Sequence, residues 1–210
     1  MPEVSVIVPA HDAAGTLAAA LSALAGQEGG VDHEVVVVDD GSSDATAQIA
    51  EQMGVRLVAH ERPLGAAEAR NAGVRATSGR LLAFTDADCA PAPDWLAHGL
   101  AAAAGADLVQ GAVVPDPAVD RTPFDRTVEV GSETGLYETA NLFVDRGWFE
   151  RLGGFESSRG LGAERPYGED TIFGWRLRRA GGRTRFAPEA RVFHAVFARG
   201  AASPAARSWM

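Results

Sequence analysis

The stretch EVVVVDDGSSDATAQIAEQMG, residues 34–54, indicates most clearly which fold the chain adopts. It opens with a short, continuous β-branched run, which is the pattern of a strand covered on both faces by helices. Ser42 and Ser43 are typical of a helix start, and Gly54 is typical of a helix end. A buried strand followed at once by a helix is the repeating unit of α/β proteins, so we expect a parallel sheet.

Strand and helix patterns alternate on both sides of this stretch. The first half predicts strands at 4–10, 55–60 and 81–86, with helices at 16–27, at 65–79 and from about 93. The second half predicts strands at 107–114 and 138–145, a short helix ending at 153–155 and a helix at 169–182. This order favours an α/β fold with a doubly wound, mostly parallel sheet flanked by helices. With 210 residues, 46% of them hydrophobic, we expect a single domain.

The charged residues are unevenly distributed. All 19 basic residues are arginines, which excludes chemistry that needs a lysine, such as a Schiff base. Residues 1–170 carry 11 Arg against 27 Asp and Glu, and this acidic balance argues against a nucleic-acid partner. Residues 171–210 carry eight Arg against Glu189 alone. That basic region predicts contact with a phosphate-bearing ligand or an anionic membrane surface, or else a solvated helix face.

Cysteine content and hydropathy indicate in which cellular compartment the protein is expected. Cys89 is the single cysteine, so no intramolecular disulfide forms and a reducing compartment is expected. The first residues, MPEVSVIVPAHD, lack the basic start of a signal peptide, and no run of about 18 apolar residues occurs. We therefore expect a cytoplasmic protein, with peripheral contact at the inner face of the membrane through the Arg-rich C-terminal region as a further possibility.

Acidic residues follow two of the predicted strands. Asp39 and Asp40 end one strand, and Asp86 and Asp88 end another. A single Asp there is usually a turn former or a helix cap, but four at the carboxyl edge of a sheet indicate a ligand site. If the chain stays extended through Ala87, Asp86 and Asp88 project to the same side. Paired carboxylates suit Mg²⁺ or Mn²⁺ and predict a metal-dependent user of nucleoside diphosphates.

Five segments together resemble family 2 glycosyltransferases with the GT-A fold. They are VSVIVPAHDAAGTL, EVVVVDDGSSDAT, GAAEARNAGVRATSGRLLAFTDADCAPAPDWL, GGF and GEDTIFGWRLRRAGG, in the order seen in that family and within about residues 3–195. The resemblance implies an inverting, metal-dependent transfer of a sugar from a nucleoside diphosphate sugar to a hydroxyl acceptor. It also implies a nucleotide-sugar-binding half at 1–114, an acceptor-binding half at 115–195 and a short tail at 196–210.

The same resemblance assigns residues to the nucleotide. Pro9 and Ala10 would line the nucleoside pocket. Asp40, together with Asp39, would read the base or ribose, because carboxylates accept hydrogen bonds from base N–H groups and sugar hydroxyls. Neighbouring strand residues face opposite ways, so we expect one of this pair to contact nucleotide and the other to hold the turn that follows. Arg70 would lie near the nucleotide and its acidic cluster.

Metal and catalytic residues follow from the resemblance too. Asp88 would bind a divalent cation, Mn²⁺ or Mg²⁺, directly. Asp86 would contact ribose or share that cation, and His194 is a further candidate ligand. Cys89 is expected to pack, since a thiolate is a poor ligand for a hard cation.

Acceptor-side residues lie in the second half of the chain. Asp170 is expected to act as general base, taking the proton of the acceptor hydroxyl, although acids are also common as helix caps. Glu169 and Tyr167 would contact the acceptor, a saccharide or a lipid-linked molecule. The Gly-rich loop at 156–168 is predicted to act as a lid.

Two alternatives and one departure from the family pattern accompany this interpretation. A nucleotidyltransferase would share the sheet and the metal aspartates, but PAHDAAGTL lacks the basic residues of its usual loop. A catalytically inactive nucleotide-sugar-binding module would retain Asp40 and Asp88 without needing Asp170. No Q-x-x-R-W follows the acidic pair, so a non-processive enzyme is expected.

Overall fold

The alternating strands and helices of the first half form as predicted. The computed structural model describes residues 1–156 and 168–198. Its first elements are β1 (Val4–Ala10), α1 (Leu17–Ala25), β2 (His33–Asp39), α2 (Thr46–Gln52), β3 (Arg56–Ala59), α3 (Ala66–Arg75) and β4 (Leu81–Thr85). Helix α2 starts later than Ser42 and Ser43 predicted, because both serines are bonded to Asp39 and Asp12 in the loop before it.

The second half contains the elements predicted above and two strands that the predicted order does not contain. They are β5 (Cys89–Pro91), α4 (Trp95–Ala103), β6 (Leu108–Pro115), β7 (Asn141–Asp145), α5 (Arg146–Arg151), α6 (Glu169–Arg179) and β8 (Thr184–His194). These two strands are β5, which has three residues and directly follows the second acidic pair, and β8, which has 11 residues and ends at His194. In the part of the chain that is described, no helix has the length and apolarity needed to cross a membrane.

All eight strands belong to one sheet with the order β3-β2-β1-β4-β7-β6-β8-β5. Strands β1 to β4 are parallel to one another, as the doubly wound pattern predicts. Strand β7 enters between β4 and β6 and runs antiparallel to both, and β5 is antiparallel to β8. The sheet is therefore mixed: its first half is parallel, and its direction changes beside β4, where the acidic residues lie.

Each face of the sheet has its own hydrophobic core. Val6 and Val8 of β1 belong to one core with Leu21 and Trp95 of the helices on that face, whereas Ile7 belongs to the other. This split follows from the two-residue period of a strand. The second core is rich in aromatic rings. Four of them are phenylalanines with neighbouring ring centroids 5.1–5.7 Å apart: Phe84, Phe149, Phe155 and Phe173. These rings fix α5 and α6 on the sheet.

A buried asparagine stabilises an irregular part of the sheet. The register between β6 and β8 shifts between Gly111 and Ala112. Asn141, which is completely buried, donates from Nδ2 to Ala112 O (2.7 Å) and Ala190 O (2.8 Å), and its Oδ1 accepts from Trp95 Nε1 (2.8 Å). A Cβ at Gly111 would overlap this side chain. The network fixes the course of β8 toward its last residue, His194.

Candidate active site

The loops after β1 and β2 form one end of the candidate site. Pro9 and Ala10 are buried at the end of β1, and Ala10 pairs with Asp39 of β2. The two loops are cross-linked: Asp12 Oδ1 accepts from the Ser43 N–H (2.8 Å), and the Ala13 N–H donates to Thr46 Oγ1 (2.8 Å). Hydrogen bonds between these two loops thus fix the edge of the sheet at which nucleotide binding was predicted.

Asp39 and Asp40 have different tasks. Asp39 Oδ1 accepts from the Ser42 N–H (3.1 Å) and from its hydroxyl, so Asp39 holds the turn after β2. Asp40 is completely buried, and its carboxylate accepts from the N–H groups of Leu64 (2.9 Å) and Gly65 (2.9 Å) and lies 2.6 Å from His60 Nδ1. In this structure Asp40 fixes the loop before α3. Its predicted contact with nucleotide finds no support in this geometry.

The acidic pair after β4 lies in a turn and not in an extended segment. The Cys89 N–H donates to Asp86 O (3.0 Å), which closes a turn through Ala87 and Asp88. The chain is therefore not extended through Ala87, so the condition under which Asp86 and Asp88 were predicted to project to the same side is not met. The pKa of Asp88 is raised, mainly by burial and further by the nearby Asp86 carboxylate, whereas His194 lowers it in part. Asp86 is partly exposed, whereas Asp88 is 9% exposed.

Pairing between β5 and β8 brings His194 to Asp88. Cys89 lies opposite His194 in the antiparallel register, and His194 Nε2 is 3.7 Å from Asp88 Oδ2. Nδ1 of His194 lies 2.7 Å from Ala195 O. Because a carbonyl only accepts, Nδ1 donates its hydrogen to Ala195 O, and Nε2 is the nitrogen that faces Asp88. The imidazole is thus oriented as a ligand.

The donor set beside β5 fits a divalent cation. Ligand atoms of Asp88, Cys89 and His194 all lie within 4.8 Å of one another. Burial raises the pKa of the Cys89 thiol well above its usual value, and the nearby carboxylates of Asp88 and Asp86 add to this. The thiol therefore stays protonated and packs, as expected. A carboxylate oxygen and an imidazole nitrogen remain, which suit Mn²⁺.

Arg70 joins the acidic turn to the start of α6. It lies in α3, is 5% exposed, and donates from Nη2 to Asp86 Oδ1 (2.9 Å) and from Nη1 to Glu169 Oε1 (2.8 Å). Arg70 thus lies next to the acidic cluster, although its partners are the carboxylates themselves. The predicted donor and acceptor halves meet at this side chain.

Asp170 lies at the start of α6, beside Glu169. Its carboxylate accepts from the N–H groups of Thr171 (2.7 Å) and Thr139 (3.3 Å). Burial and the Glu169 charge raise the pKa of Asp170, while Arg70 lowers it in part. A raised pKa makes this carboxylate a better proton acceptor near neutral pH. Tyr167 and the predicted lid lie outside the described residues.

Sequence reasoning missed several residues that shape the site. Thr139 supplies the N–H that holds Asp170, and Thr127 Oγ1 lies 3.2 Å from His194 Nδ1. Gln110 Nε2 donates to Glu138 O (3.3 Å) and Asn141 O (2.9 Å), which fixes the segment before β7. The one available signal was a polar residue inside an apolar strand pattern, which marks Gln110 and Asn141.

Comparison with known proteins assigns the chain to a protein family. Residues 5–157 match the family described as Glycosyl transferase family 2. Glycosyltransferase AglE of Haloferax volcanii is 33% identical over 171 residues, which is 74% of this chain and 56% of the relative. A validoxylamine A glucosyltransferase of Streptomyces hygroscopicus subsp. jinggangensis is 34% identical over 162 residues, 72% of this chain and 38% of the relative. The matched part of the chain thus covers 38–56% of the length of these two relatives.

Solved structures share the fold at low sequence identity. The mannosyltransferase PcManGT from Pyrobaculum calidifontis, in complex with GDP-Man and Mn²⁺, has a TM-score of 0.73 and 23% identity over 95% of this chain and 58% of that one. TarS of S. aureus in complex with UDP-GlcNAc has a TM-score of 0.72 and 22% identity over 92% of this chain and 58% of that one. At this identity the likeness shows the fold alone.

Proposed function

This chain belongs to glycosyl transferase family 2, and from that membership we propose that it transfers a sugar from a nucleoside diphosphate sugar to a hydroxyl acceptor. It is a glycosyltransferase with the GT-A fold. We propose that the transfer inverts the anomeric centre, is non-processive and depends on Mn²⁺ or Mg²⁺. The observation that carries the proposal is the oriented pair of Asp88 and His194, beside an acidic helix start that holds a candidate base.

The donor would bind along the ends of β1, β2 and β4. Pro9 and Ala10 lie at this edge, where Asp39 is 6% exposed with Oδ1 bonded to Ser42, and Asp40 is completely buried. We assign the nucleoside contact to Asp39 in place of Asp40, whose carboxylate is fully used by the protein. The related structures with GDP-Man and UDP-GlcNAc support a donor of this class.

Asp88 and His194 would hold the cation, with Asp86 close enough to share it through water. When bound, the cation supplies positive charge that stabilises the departing diphosphate. The Nδ1–H bond to Ala195 O keeps the His194 ring in the right tautomer. His194→Gln should therefore weaken Mn²⁺ binding without unfolding the protein.

Asp170 would act as the general base. The acceptor oxygen attacks the anomeric carbon on the face opposite the diphosphate, and its proton moves to the Asp170 carboxylate. The N–H groups of Thr139 and Thr171 hold that carboxylate in place, and its raised pKa suits this task. Glu169 has one oxygen engaged by Arg70, which leaves the other for the acceptor. A saccharide or lipid-linked acceptor fits this chemistry, with the Arg-rich C-terminal region as the membrane-facing part.

The test combines ligand binding with turnover. Nucleoside diphosphates and their sugars are screened by thermal shift with and without Mn²⁺. A ligand at 100 times its Kd adds about 2.7 kcal/mol, which raises Tm by roughly 5 to 11 °C in a chain of this size. Asp170→Asn should keep this shift but lose about 10²- to 10⁴-fold in kcat. The exposed Asp94→Asn is the matched control and should leave both quantities unchanged.

Two results would overturn parts of the proposal. If no nucleotide gives an Mn²⁺-dependent shift, the donor and metal assignments fail together. If Asp170→Asn turns over at the wild-type rate, another group is the base.

A further inference from the structure

A buried guanidinium links the two acidic segments of the site. Arg70 is held in α3, and its two terminal nitrogens point at different carboxylates: Nη2 at Asp86 (2.9 Å) and Nη1 at Glu169 (2.8 Å). Asp86 belongs to the turn after β4, whereas Glu169 is the first residue of α6. These segments are distant in sequence, so Arg70 is a fixed link between them.

Only an arginine makes this link. Its planar fork directs two N–H groups along separate lines, whereas a lysine ammonium is one point charge that reaches one partner well. Both terminal nitrogens of Arg70 are already bonded to the protein, and the side chain is 6% exposed. The guanidinium charge is therefore neutralised before any nucleotide arrives.

We infer that Arg70 is a positioning residue, which fixes the helix that carries the base relative to the donor site, and that it does not bind the nucleotide. This inference rests on the proposed function and replaces the nucleotide contact predicted from the sequence. Because Glu169 and Asp170 are the first two residues of α6, a displacement of the start of this helix moves the candidate base. A misplacement of about 1 Å in a catalytic group costs on the order of 10²-fold in rate.

The same link has an electrostatic signature. Burial and Glu169 raise the pKa of Asp170, and Arg70 lowers it. Removing Arg70 should therefore move the acid limb of the kcat–pH profile to higher pH. Removing the Glu169 charge should move that limb to lower pH. A purely structural defect predicts no such opposite shifts.

The experiment is a double-mutant cycle with Arg70→Gln, Glu169→Gln and both together. We measure kcat, KM and the pH profile, and separately the Kd of a nucleoside diphosphate with Mn²⁺. We expect Arg70→Gln to lose on the order of 10²-fold in kcat with nucleotide Kd unchanged. Glu169→Gln should lower kcat less in the Arg70→Gln background than in the wild type, because the ion pair that both changes break is already lost, whereas loss of the acceptor contact of Glu169 should raise KM equally in both backgrounds.

Two further variants complete the design. Arg75→Gln, which breaks an exposed ion pair with Glu68 on the same helix, should leave kcat and Kd unchanged. Arg70→Lys keeps the charge and is the variant to use if Arg70→Gln does not fold. It should bind nucleotide normally and lose kcat, because it reaches one carboxylate only.

The outcomes separate this inference from the function it rests on. Weakened nucleotide binding in Arg70→Gln or Arg70→Lys, or losses that multiply in the double variant, would overturn the positioning role while wild-type turnover remains. Absence of both turnover and Mn²⁺-dependent nucleotide binding in the wild type would overturn the proposed function, and the inference with it.

Discussion

Replacing Asn141 by alanine should destabilise the protein more than most single substitutions. Its side chain makes three hydrogen bonds in a completely buried place, two to the carbonyls of Ala112 and Ala190 and one from Trp95 Nε1. Alanine leaves all three partner groups buried without a bond. An unsatisfied buried polar group costs about 1–3 kcal/mol, so three groups with partial relaxation cost about 3–6 kcal/mol. That is a large part of a typical stability of about 5–15 kcal/mol.

Urea unfolding measures this loss directly. With a slope of about 2 kcal/mol per molar, the midpoint of Asn141→Ala should fall by roughly 1.5–3 M. Asn71→Ala is the matched control: Asn71 makes two hydrogen bonds, both to the backbone of Phe155, at a half-buried place where water reaches the freed groups. Asn71→Ala should therefore lower the free energy of unfolding by less than Asn141→Ala does. If Asn141→Ala lowers the free energy of unfolding by less than about 1 kcal/mol, which one ordinary hydrogen bond contributes, the estimate for three lost bonds is wrong.

Two other substitutions test packing and charge. Gly99→Ala in α4 puts a Cβ into the ring of buried Phe143. The resulting overpacking costs about 1–3 kcal/mol, which should exceed the gain in helix propensity and lower Tm. A higher Tm would contradict the packing described. Glu34 is the second case: partial burial raises its pKa, but hydrogen bonds from Ser78, Ser5 and Gly79 lower it below the ordinary 4.5. Its ionised form therefore stabilises the protein above about pH 4.5, and that contribution disappears as the pH falls through the lowered pKa. The stability difference between wild type and Glu34→Gln should shrink in acid, and a difference that does not depend on pH would contradict this role.

The parallel half could be predicted from sequence because its signals are local. Its strands are short, largely apolar runs, those before β4 each lead directly into a helix pattern, and residues 34–54 contain a complete unit. Strand β5 could not be predicted in this way. It has three residues, one of them Pro91, and it is a strand only because β8 lies beside it. Local periodicity carries no information on a partner about 100 residues away.

The candidate site was predictable as a set of residues but not as a set of contacts. Asp88, His194 and Arg70 were identified from the resemblance, and the structure brings His194 to Asp88 and Arg70 to Asp86. The chain is not extended through Ala87, because the peptide after Asp86 closes a turn. Asp39 and Asp40 also show the limit of a motif: adjacent carboxylates look alike in sequence, yet burial and neighbouring N–H groups give them separate tasks.

The outermost strands of the sheet bear on how the protein behaves at high concentration. Both are short: β3 has four residues and begins with exposed Arg56, and β5 has three and ends at a proline that has no N–H group. Long, flat, uncharged edge strands pair with strands of other molecules and so promote aggregation. Short edge strands that carry a charge or a proline resist such pairing. Replacing Arg56 and Pro91 by valine would remove the charge from one edge strand and the proline from the other. The variant should therefore aggregate more than the wild type, which light scattering would detect.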